Sequence, residues 1–281
     1  MTEIGEIQNL SHSLKIQNKT SGFVPTMGFL HEGHLSLVRK SKELCDVTIV
    51  SIFVNPTQFA PTEDLEKYPA DIERDIKLLI DEGVDYLFIP ETNQIYTKNF
   101  QTFINVEELS KILEGQFRPT HFRGVTTIVN ILFNCTNPDY AFFGQKDIQQ
   151  VIVIKRMVKD LKLRIRLVIC PIVREPDGLA LSSRNIYLSE NERKDAPILH
   201  QSIISAKKMI NAGEKRTAII IAEMNSIINS VSTSTLDYIN IVEAESFEIV
   251  NELKPGNEYY ILIACKIGST RLIDNESIKI N

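Results

Sequence analysis

The chain has 281 residues, a length that accommodates one large domain or two smaller ones. Its hydrophobic share of 43% and its charged share of 24% are those of a globular protein, which excludes a disordered or fibrous chain. Lys and Arg total 31 against 36 Asp and Glu, and the net charge of −5 argues against non-specific binding to nucleic acid or to an anionic membrane. A local cationic pocket for a small anion is still compatible with this balance.

The four cysteines lie far apart in apolar surroundings, which predicts buried free thiols rather than a zinc cluster or a disulfide framework. The first 19 residues carry neither a long apolar stretch nor a small-residue cleavage site. No apolar run approaches the roughly 18 residues of a membrane span. We therefore expect a soluble cytoplasmic protein that has no membrane or nucleic-acid partner.

Short β-branched segments alternate with longer amphipathic segments as far as about residue 175. This alternation is typical of an α/β domain in which a parallel sheet carries helices on both faces and binds ligands beyond the carboxyl ends of its strands. The predicted strands are residues 21–26, 47–54, 84–90, 139–144 and 164–173, and the predicted helices are residues 34–45, 71–83, 124–136 and 147–162.

The pattern changes in the last third of the chain. Residues 189–231 predict two polar-faced helices with a break near residues 211–213. Gly268 and Ser269 suit a two-residue hairpin turn between strands. The strands predicted here are residues 236–244, 258–267 and 270–280.

Two domains account for this change. We expect residues 1–175 to form a Rossmann-like, doubly wound parallel sheet. Residues 176–281 would form a smaller α+β domain, and the composition between the two parts is not that of a flexible linker.

The first candidate site is the segment PTMGFLHEGH, residues 25–34, between the first strand and the first helix. If both His31 and His34 are helical, their imidazoles lie about 60° apart on one face of the first turn. Unpaired N–H groups and the helix dipole favour an anion there, and Gly33 lets a ligand approach the backbone.

Two imidazole donors at a helix N-terminus would suit a triphosphate whose charge grows in a transition state. A structural alternative is that one histidine caps the helix and the other lies on the surface. A zinc site is the other chemical alternative, but it would need a third ligand.

The second candidate site is the segment NPTQF, residues 55–59, which follows the buried strand and therefore lies at the carboxyl edge of the sheet. Gln58 offers a donor and acceptors without charge, which suits a hydroxyl and a carboxylate on one small substrate. Taken alone, the segment would favour a plain Asn-Pro turn, and the neighbouring motifs favour a site.

The third candidate site is the strand-to-helix junction FGQKDIQQ, residues 143–150. Lys146 supplies a mobile positive charge for a phosphate. Asp147 can cap the helix, bind Mg2+ through its carboxylate or accept a hydrogen bond from a ribose hydroxyl. Gln150 lies about one turn further on and would face the same pocket.

The fourth candidate site is the segment GLALSSRN, residues 178–185. Ser182 and Ser183 are followed by the permanently charged Arg184, and such a loop can fold over phosphates as a lid. A polar interdomain loop with Arg184 in a surface ion pair is the structural alternative.

Two further charged groups have less specific patterns. The basic cluster at residues 118–124 would hold an anion or serve a subunit contact. The acidic run of Asp71, Glu73 and Asp75 predicts a solvated helix face near an N-terminus.

Four segments together resemble, in this order, the signature segments of the pantoate–β-alanine ligase (pantothenate synthetase) family. They are PTMGFLHEGH, NPTQF, FGQKD and LALSSRN. The resemblance extends from about residue 22 to at least residue 193 and includes EDLEKYP (63–69) and FRPTHFRGV (117–125). HEGH is similar to the HIGH motif of the wider nucleotidyltransferase superfamily. LSSR stands where related synthetases carry KMSKS, and Arg184 replaces its last Lys.

The resemblance implies an ATP-dependent condensation of (R)-pantoate with β-alanine through a pantoyl adenylate, which releases pyrophosphate and then AMP. It further implies Mg2+ and a homodimer. Residues 1–175 would then bind ATP and pantoate, and residues 176–281 would act as a lid that keeps water from the adenylate.

The family's functional residues map onto this sequence. His34 is the position that the family treats as the catalytic proton donor, and it would act with His31, Lys146 and Arg184. Gln58 and Gln150 would bind pantoate, and Gln58 would also lie near β-alanine. The implied ATP-binding residues are Met27, Gly28, Phe29, Leu30, His31, Glu32, Gly33, His34, Gly144, Gln145, Lys146, Asp147, Val173, Leu181, Ser182, Ser183 and Arg184.

Other functions are less consistent with the sequence. NPTQF and the module at 174–281 argue against a nucleotidyltransferase that leaves the nucleotide on its product. The joint presence of His31, His34, Lys146 and Arg184 argues against a nucleotide sensor without catalysis. The acidic balance, without an obvious anticodon-binding extension, disfavours an aminoacyl-tRNA synthetase.

Overall fold

The apolar strand segments of the first two-thirds of the chain pair side by side in one parallel sheet. The computed structural model describes residues 1–60 and 65–281, so that Glu63 and Asp64 of the segment EDLEKYP lie outside the described residues. The described residues divide into a first unit, Met1–Pro171, and a second unit, Ile172–Asn281.

The elements that the sequence predicts are present, although the strands predicted at 84–90 and 164–173 are shorter than predicted and the helix predicted at 124–136 begins earlier, at His121. The helices are α1 (Ile4–Ile16), α2 (Glu32–Leu44), α3 (Ile72–Asp81), α4 (Thr92–Ile95), α5 (Glu114–Phe117), α6 (His121–Thr136), α7 (Ile148–Asp160), α8 (Glu190–Asp195), α9 (Ile198–Asn211) and α10 (Thr217–Ile228). The strands are β1 (Ser21–Thr26), β2 (Val47–Ile52), β3 (Tyr86–Phe88), β4 (Tyr140–Gly144), β5 (Arg166–Cys170), β6 (Ser234–Glu243), β7 (Glu258–Ile267) and β8 (Thr270–Lys279).

The sheet of the first unit confirms the predicted α/β class. Among the described residues it has five strands in the order β3-β2-β1-β4-β5, and every pair is parallel. The chain runs outward from β1 to β2 and β3 on one side and then returns to place β4 and β5 on the other side. Ligands of such sheets bind outside the carboxyl ends of the strands at the point where the order reverses, here between β1 and β4.

Alternate residues of the central strands are buried on opposite faces of the sheet. The Phe23 ring of β1 and the Phe143 ring of β4 each meet the edge of Phe133 from α6, at centroid distances of 6.3 and 6.4 Å. Val24 and Phe142 belong instead to the core that includes Leu37 and Val38 of α2. Both faces of the sheet are therefore covered, as the continuous apolar strands predict.

Helix α1 is an element that the sequence analysis did not predict. Its buried residues are Ile7, Ser11 and Leu14, which lie on one face. Ser11 donates a hydrogen bond to the carbonyl of Ile7 at 2.8 Å. Because a serine occupies the middle of this stripe, the apolar periodicity of the helix is weak in the sequence.

The second unit is an α+β unit with an antiparallel sheet. Strands β6, β7 and β8 pair in chain order within the described residues. The predicted hairpin is confirmed, since Ile267 pairs with Thr270 around Gly268, whose φ of +58° suits glycine.

The helices of the second unit differ from the prediction in one respect. The first of the two predicted helices is split into α8 and α9. Pro197 lies at the junction, where it lacks the N–H that a continuous helix needs. The break before α10 is at the predicted place, with Gly213 at φ +101°.

The cysteines are free thiols, as predicted. Cys135, Cys170 and Cys265 are buried, and Cys45 is partly buried. Burial raises the pKa of Cys135 and of Cys265 to about 11, which keeps both thiols protonated at neutral pH. Within the described part of the chain, no helix is long and apolar enough to cross a membrane.

Substitution of Gly124 tests how closely α6 approaches the Asn55–Gln58 segment. A Cβ at this position would lie 2.5 Å from the carbonyl oxygen of Thr57 and 2.6 Å from the backbone of Gln58. We expect Gly124→Ala to lower the free energy of unfolding by about 1–3 kcal/mol, because the segment must shift. Urea unfolding measures this change.

Gly5→Ala is the control for that measurement. In the part of the chain that the structure describes, a Cβ on Gly5 meets nothing within 4 Å, and Gly5 lies in a helix. Its stability should be unchanged or slightly raised. Equal stability of the two variants would contradict the tight contact.

Candidate active site

The turn after β1 places a pair of histidines at the reversal point of the sheet. Gly28 has φ +84° and Phe29 has φ +49°, so two consecutive residues adopt left-handed backbone. Glycine does so without strain, whereas a bulky residue such as phenylalanine rarely does. His31 then returns to extended backbone and caps α2.

The two imidazoles are joined to the helix terminus by reciprocal hydrogen bonds. The backbone N–H of Gly33 donates to Nδ1 of His31, and the backbone N–H of His31 donates to Nδ1 of His34, both at 3.2 Å. The ring centroids are 4.1 Å apart. His31 therefore precedes the helix rather than lying in its first turn as predicted, and the pair meets through this capping arrangement.

These bonds define the proton positions of the neutral imidazoles. A nitrogen that accepts a backbone N–H carries no proton, so the single proton of each neutral ring resides on Nε2. The structural alternative, in which a histidine caps the helix, is thus realised by His31. It coexists with a chemical role, because each ring keeps an Nε2–H donor.

Both histidines are neutral at physiological pH. Burial lowers the pKa of His31 to about 4, assisted by the positive charges of Lys146 and Arg74 and opposed by Asp147. Burial also lowers the pKa of His34 well below its ordinary value, with smaller contributions from His31 and Lys146. The side chains that follow β1 and β4 are therefore near enough to influence one another, as the sequence predicts.

Lys146 and Asp147 follow β4 on the other side of the reversal point. Lys146 Nζ lies 3.9 Å from a carboxylate oxygen of Asp147. In the described structure the Asp147 side chain makes no capping hydrogen bond to α7, and it is about half exposed. Of its predicted roles, capping is thus not seen, and binding Mg2+ or a ribose hydroxyl stays a prediction.

Gln58 is buried beside the same turn. Its side-chain Nε2 lies 2.7 Å from Sδ of Met27, and its Oε1 accepts a hydrogen bond from Asn55 at 3.2 Å. Asn55 also donates to the carbonyl of Gly124, and its Oδ1 accepts from the Tyr96 hydroxyl at 2.7 Å. The Asn-Pro turn therefore holds the Gln58 amide in a defined orientation.

The two glutamines at the start of α7 have different surroundings. Gln150 is partly exposed, and its role in binding a substrate stays a prediction. Gln149 is buried, donates to the carbonyls of Leu109 and Ile112, and accepts from the N–H of Glu114. Sequence reasoning missed this anchor of the 109–114 segment.

Two residues of the basic cluster at 118–124 contact the backbone of Gln58. His121 Nδ1 lies 3.1 Å from the carbonyl oxygen of Gln58, and an Arg118 nitrogen lies 3.5 Å from the same oxygen. Arg123 lies over the Phe103 ring at 3.8 Å, as a cation–π contact. His121 and Arg118 thus contact the backbone of Gln58, a residue that is predicted to bind pantoate.

The remaining predicted ATP residues belong to the second unit and are close to one another there. Leu181 donates its N–H to the carbonyl of Val173 at 3.0 Å. Ser182 accepts from the N–H of Arg184 and so begins the short 3-10 helix at Ser183–Tyr187.

The turn between Val173 and Leu181 is anchored by an ion pair. Arg174 binds the Asp274 carboxylate of β8 at 2.6 and 2.9 Å and donates to the carbonyl of Gly178. Because Asp274 is buried, this pair is shielded from water and holds the turn to the sheet of the second unit.

Asp75 corrects the interpretation of the acidic run. Asp71 and Glu73 are exposed as predicted, and Asp71 caps α3. Asp75 is buried and accepts the N–H groups of Phe29 and Leu30, each at 2.7 Å. The inward register of the helix was the available signal, since Asp75 precedes the buried Leu79 by four residues.

Comparisons with known proteins agree with this geometry. The family model described as pantoate-beta-alanine ligase matches residues 1–277. The chain belongs to the pantoate-beta-alanine ligase family. A pantothenate synthetase from Caldicellulosiruptor bescii is 50% identical over 273 residues, which are 97% of this chain and 96% of that relative.

Solved structures of the family share the fold. The chain is similar to pantothenate synthetase from Thermus thermophilus, with a TM-score of 0.92, 39% identity and 98% coverage of both chains. It is also similar to the Francisella tularensis pantoate-beta-alanine ligase complexed with beta-gamma ATP and beta-alanine. That comparison has a TM-score of 0.79 and 36% identity and covers 98% of this chain and 96% of the other.

The low pKa of His31 predicts a pH dependence of stability. Its pKa is about 4 in the folded chain and near 6.5 when unfolded, so the unfolded chain binds more protons between these values. The free energy of unfolding should therefore fall as the pH is lowered from 6.5 to 4. Urea unfolding across this range measures the effect.

The variant His31→Asn keeps a side chain that caps helices well and removes the titrating group. We expect its free energy of unfolding to depend less on pH than that of the wild type between pH 6.5 and 4. Identical pH dependence in both proteins would show that His31 does not have a depressed pKa.

Proposed function

We propose that this chain condenses pantoate with β-alanine at the expense of ATP, through a pantoyl adenylate. The observation that carries the proposal is the neutral histidine pair at the sheet reversal point, within electrostatic reach of Lys146. The family match and the relative complexed with beta-gamma ATP and beta-alanine support it.

The first step activates a carboxylate, which is otherwise a poor electrophile. A pantoate carboxylate oxygen attacks the α-phosphorus of ATP, the bond to the bridging oxygen of the β-phosphate breaks, and pyrophosphate leaves with the electron pair. The protein's part in such a transfer is positioning and charge stabilisation.

The histidines supply hydrogen bonds to the phosphates. With Nδ1 of each ring held by a backbone N–H, the Nε2–H groups of His31 and His34 donate toward developing charge. A neutral imidazole donates a hydrogen bond without giving up its proton. We therefore assign His34 to hydrogen-bond donation as the pyrophosphate leaves.

The cationic residues complete the binding of the triphosphate. Lys146 provides a point charge for the phosphates, and Arg184, in the Leu181–Arg184 segment, provides a fixed one. Val173 would contact the adenine. The backbone of residues 27–34 and of residues 144–147 would line the nucleotide.

Mg2+ would be held mainly by the phosphates and by water, as is usual for nucleotide complexes. Among residues 1–60 and 65–281, no three His, Cys, Asp or Glu side chains are grouped as metal ligands, which fits this arrangement. Asp147 is the half-exposed carboxylate beside Lys146, and it would accept from a water bound to Mg2+ or from a ribose hydroxyl. When bound, the ion neutralises phosphate charge.

Pantoate would bind between the amides of Gln58 and Gln150. Gln58 is held by Asn55 and Met27 in one orientation, which suits recognition of a hydroxyl and a carboxylate on one molecule. In the second step the neutral amine of β-alanine attacks the acyl carbon, AMP leaves, and the amine proton passes to water.

The second unit would shield the adenylate from water, and two chains would form a homodimer. Light scattering on the purified chain tests the dimer, with twice the monomer mass as the expected result. A monomer mass at working concentration would remove this part of the proposal.

The reaction itself is tested by measuring AMP and pyrophosphate in mixtures from which one substrate is omitted in turn. We expect pyrophosphate release to need pantoate and ATP, and steady AMP release to need β-alanine as well. Pyrophosphate release accompanied by a stable nucleotide-bearing product would instead indicate a nucleotidyltransferase.

His34→Ala should lower kcat far more than it weakens ATP binding. Loss of one donor that acts on the transition state costs about 100- to 1,000-fold in kcat. Steady-state kinetics measures the change, and the exposed His12→Ala is the matched control, with unchanged kinetics. Equal losses in kcat and ATP affinity would identify His34 as a ground-state contact.

Gln58→Ala should raise the KM for pantoate by at least about tenfold, because a buried hydrogen-bonding partner of the substrate is lost. The KM for ATP serves as the internal control and should change little. An unchanged pantoate KM would place Gln58 outside the pantoate pocket.

A further inference from the structure

Asp75 of α3 clamps the turn that carries the histidine pair. One carboxylate oxygen accepts the N–H of Phe29 and the other accepts the N–H of Leu30, each at 2.7 Å. The carboxylate is buried, so these charge-assisted bonds are shielded from water. Asp75 lies more than 40 positions along the chain from the turn that it holds.

The turn needs such support because its backbone is strained. Gly28 and Phe29 both have positive φ, and the strain at Phe29 persists only where the surroundings determine it. A Cβ on Gly28 would lie 3.2 Å from the Asp75 carboxylate, which shows how closely the turn and the carboxylate approach. His31 follows two residues after Phe29, so the direction of the clamped turn fixes where α2 begins.

The neighbouring Arg74 holds the same turn from outside. Its guanidinium lies over the Phe29 ring at 5.3 Å from the centroid, and it lies 3.6 Å from the Asp75 carboxylate. Arg74 thus contacts the side chain of Phe29, and the next residue, Asp75, binds its backbone. Strained turns that are held in this way are typical of sites whose function depends on position.

We infer that Asp75 is a positioning residue for the ligase reaction, acting through His31 and His34 rather than on the substrates. This inference rests on the proposed function. Its carboxylate is already engaged by two backbone donors, and its contribution is to keep the two Nε2–H groups aimed at the departing pyrophosphate. Small displacements of such groups are sufficient to lower a rate.

Asp75→Asn tests this role, with the exposed Glu73→Gln on the same helix as the matched control. Asparagine keeps one acceptor but presents an amide N–H group to the other backbone donor. We expect kcat to fall about 10- to 100-fold in Asp75→Asn while the pantoate KM stays within about twofold, and Glu73→Gln to retain wild-type kinetics.

A double-mutant cycle separates positioning from general support of the fold. In a His34→Ala background, Asp75→Asn should lower kcat by no more than about threefold further, because the His34 imidazole that Asp75 positions is already missing. An equal fall in both backgrounds would overturn the inference. Kinetics of Asp75→Asn that match those of Glu73→Gln would also overturn it.

A second variant keeps the test decisive if Asp75→Asn does not fold. Arg74→Gln alters the exposed partner of Phe29 without changing the buried carboxylate, and it should lower kcat in the same direction by about threefold or more. Unchanged kcat in that variant would contradict the clamp. A wild-type chain that released no AMP would overturn the proposed function together with this role, whereas wild-type activity with unaffected variants overturns only the role of Asp75.

Discussion

Two backbone hydrogen bonds determine what the histidines of this site can do. The N–H groups of Gly33 and His31 donate to the Nδ1 atoms of His31 and His34, which leaves each neutral ring with its proton on Nε2. The same N–H groups belong to the helix terminus, where they would otherwise be unpaired. One local arrangement therefore caps the helix and creates a pair of directed donors.

Burial and neighbouring positive charge give this arrangement its chemical character. Burial, together with the charges of Lys146 and Arg74, opposes protonation of His31, and burial opposes protonation of His34, so the pair would enter the proposed reaction neutral. Neutral donors exert a weaker pull on the ground-state triphosphate than imidazolium ions would, and their attraction grows with the charge on the leaving pyrophosphate. In the proposed function, Lys146 and Arg184 supply the positive charge that binds the triphosphate.

The sequence predicted the elements that depend on local periodicity and failed where distant contacts decide. β1 was predicted with its observed bounds, and the motifs after β1 and β4 meet because parallel strands present their carboxyl ends at one edge. Asp75 was expected in solvent because acidic residues near a helix N-terminus are usually solvated. Its burial follows from the tertiary contact with the turn at Phe29, and the local signal for it was only its position four residues before the buried Leu79.

The most direct test of this account is a long-range 1H–15N NMR correlation spectrum of the histidine rings in the wild-type chain at neutral pH. The account predicts that His31 and His34 are both neutral, with Nδ1 unprotonated and Nε2 protonated. An imidazolium ion, or a proton on Nδ1 of either ring, would contradict it, because the donors proposed for the phosphates would then have a different charge or direction.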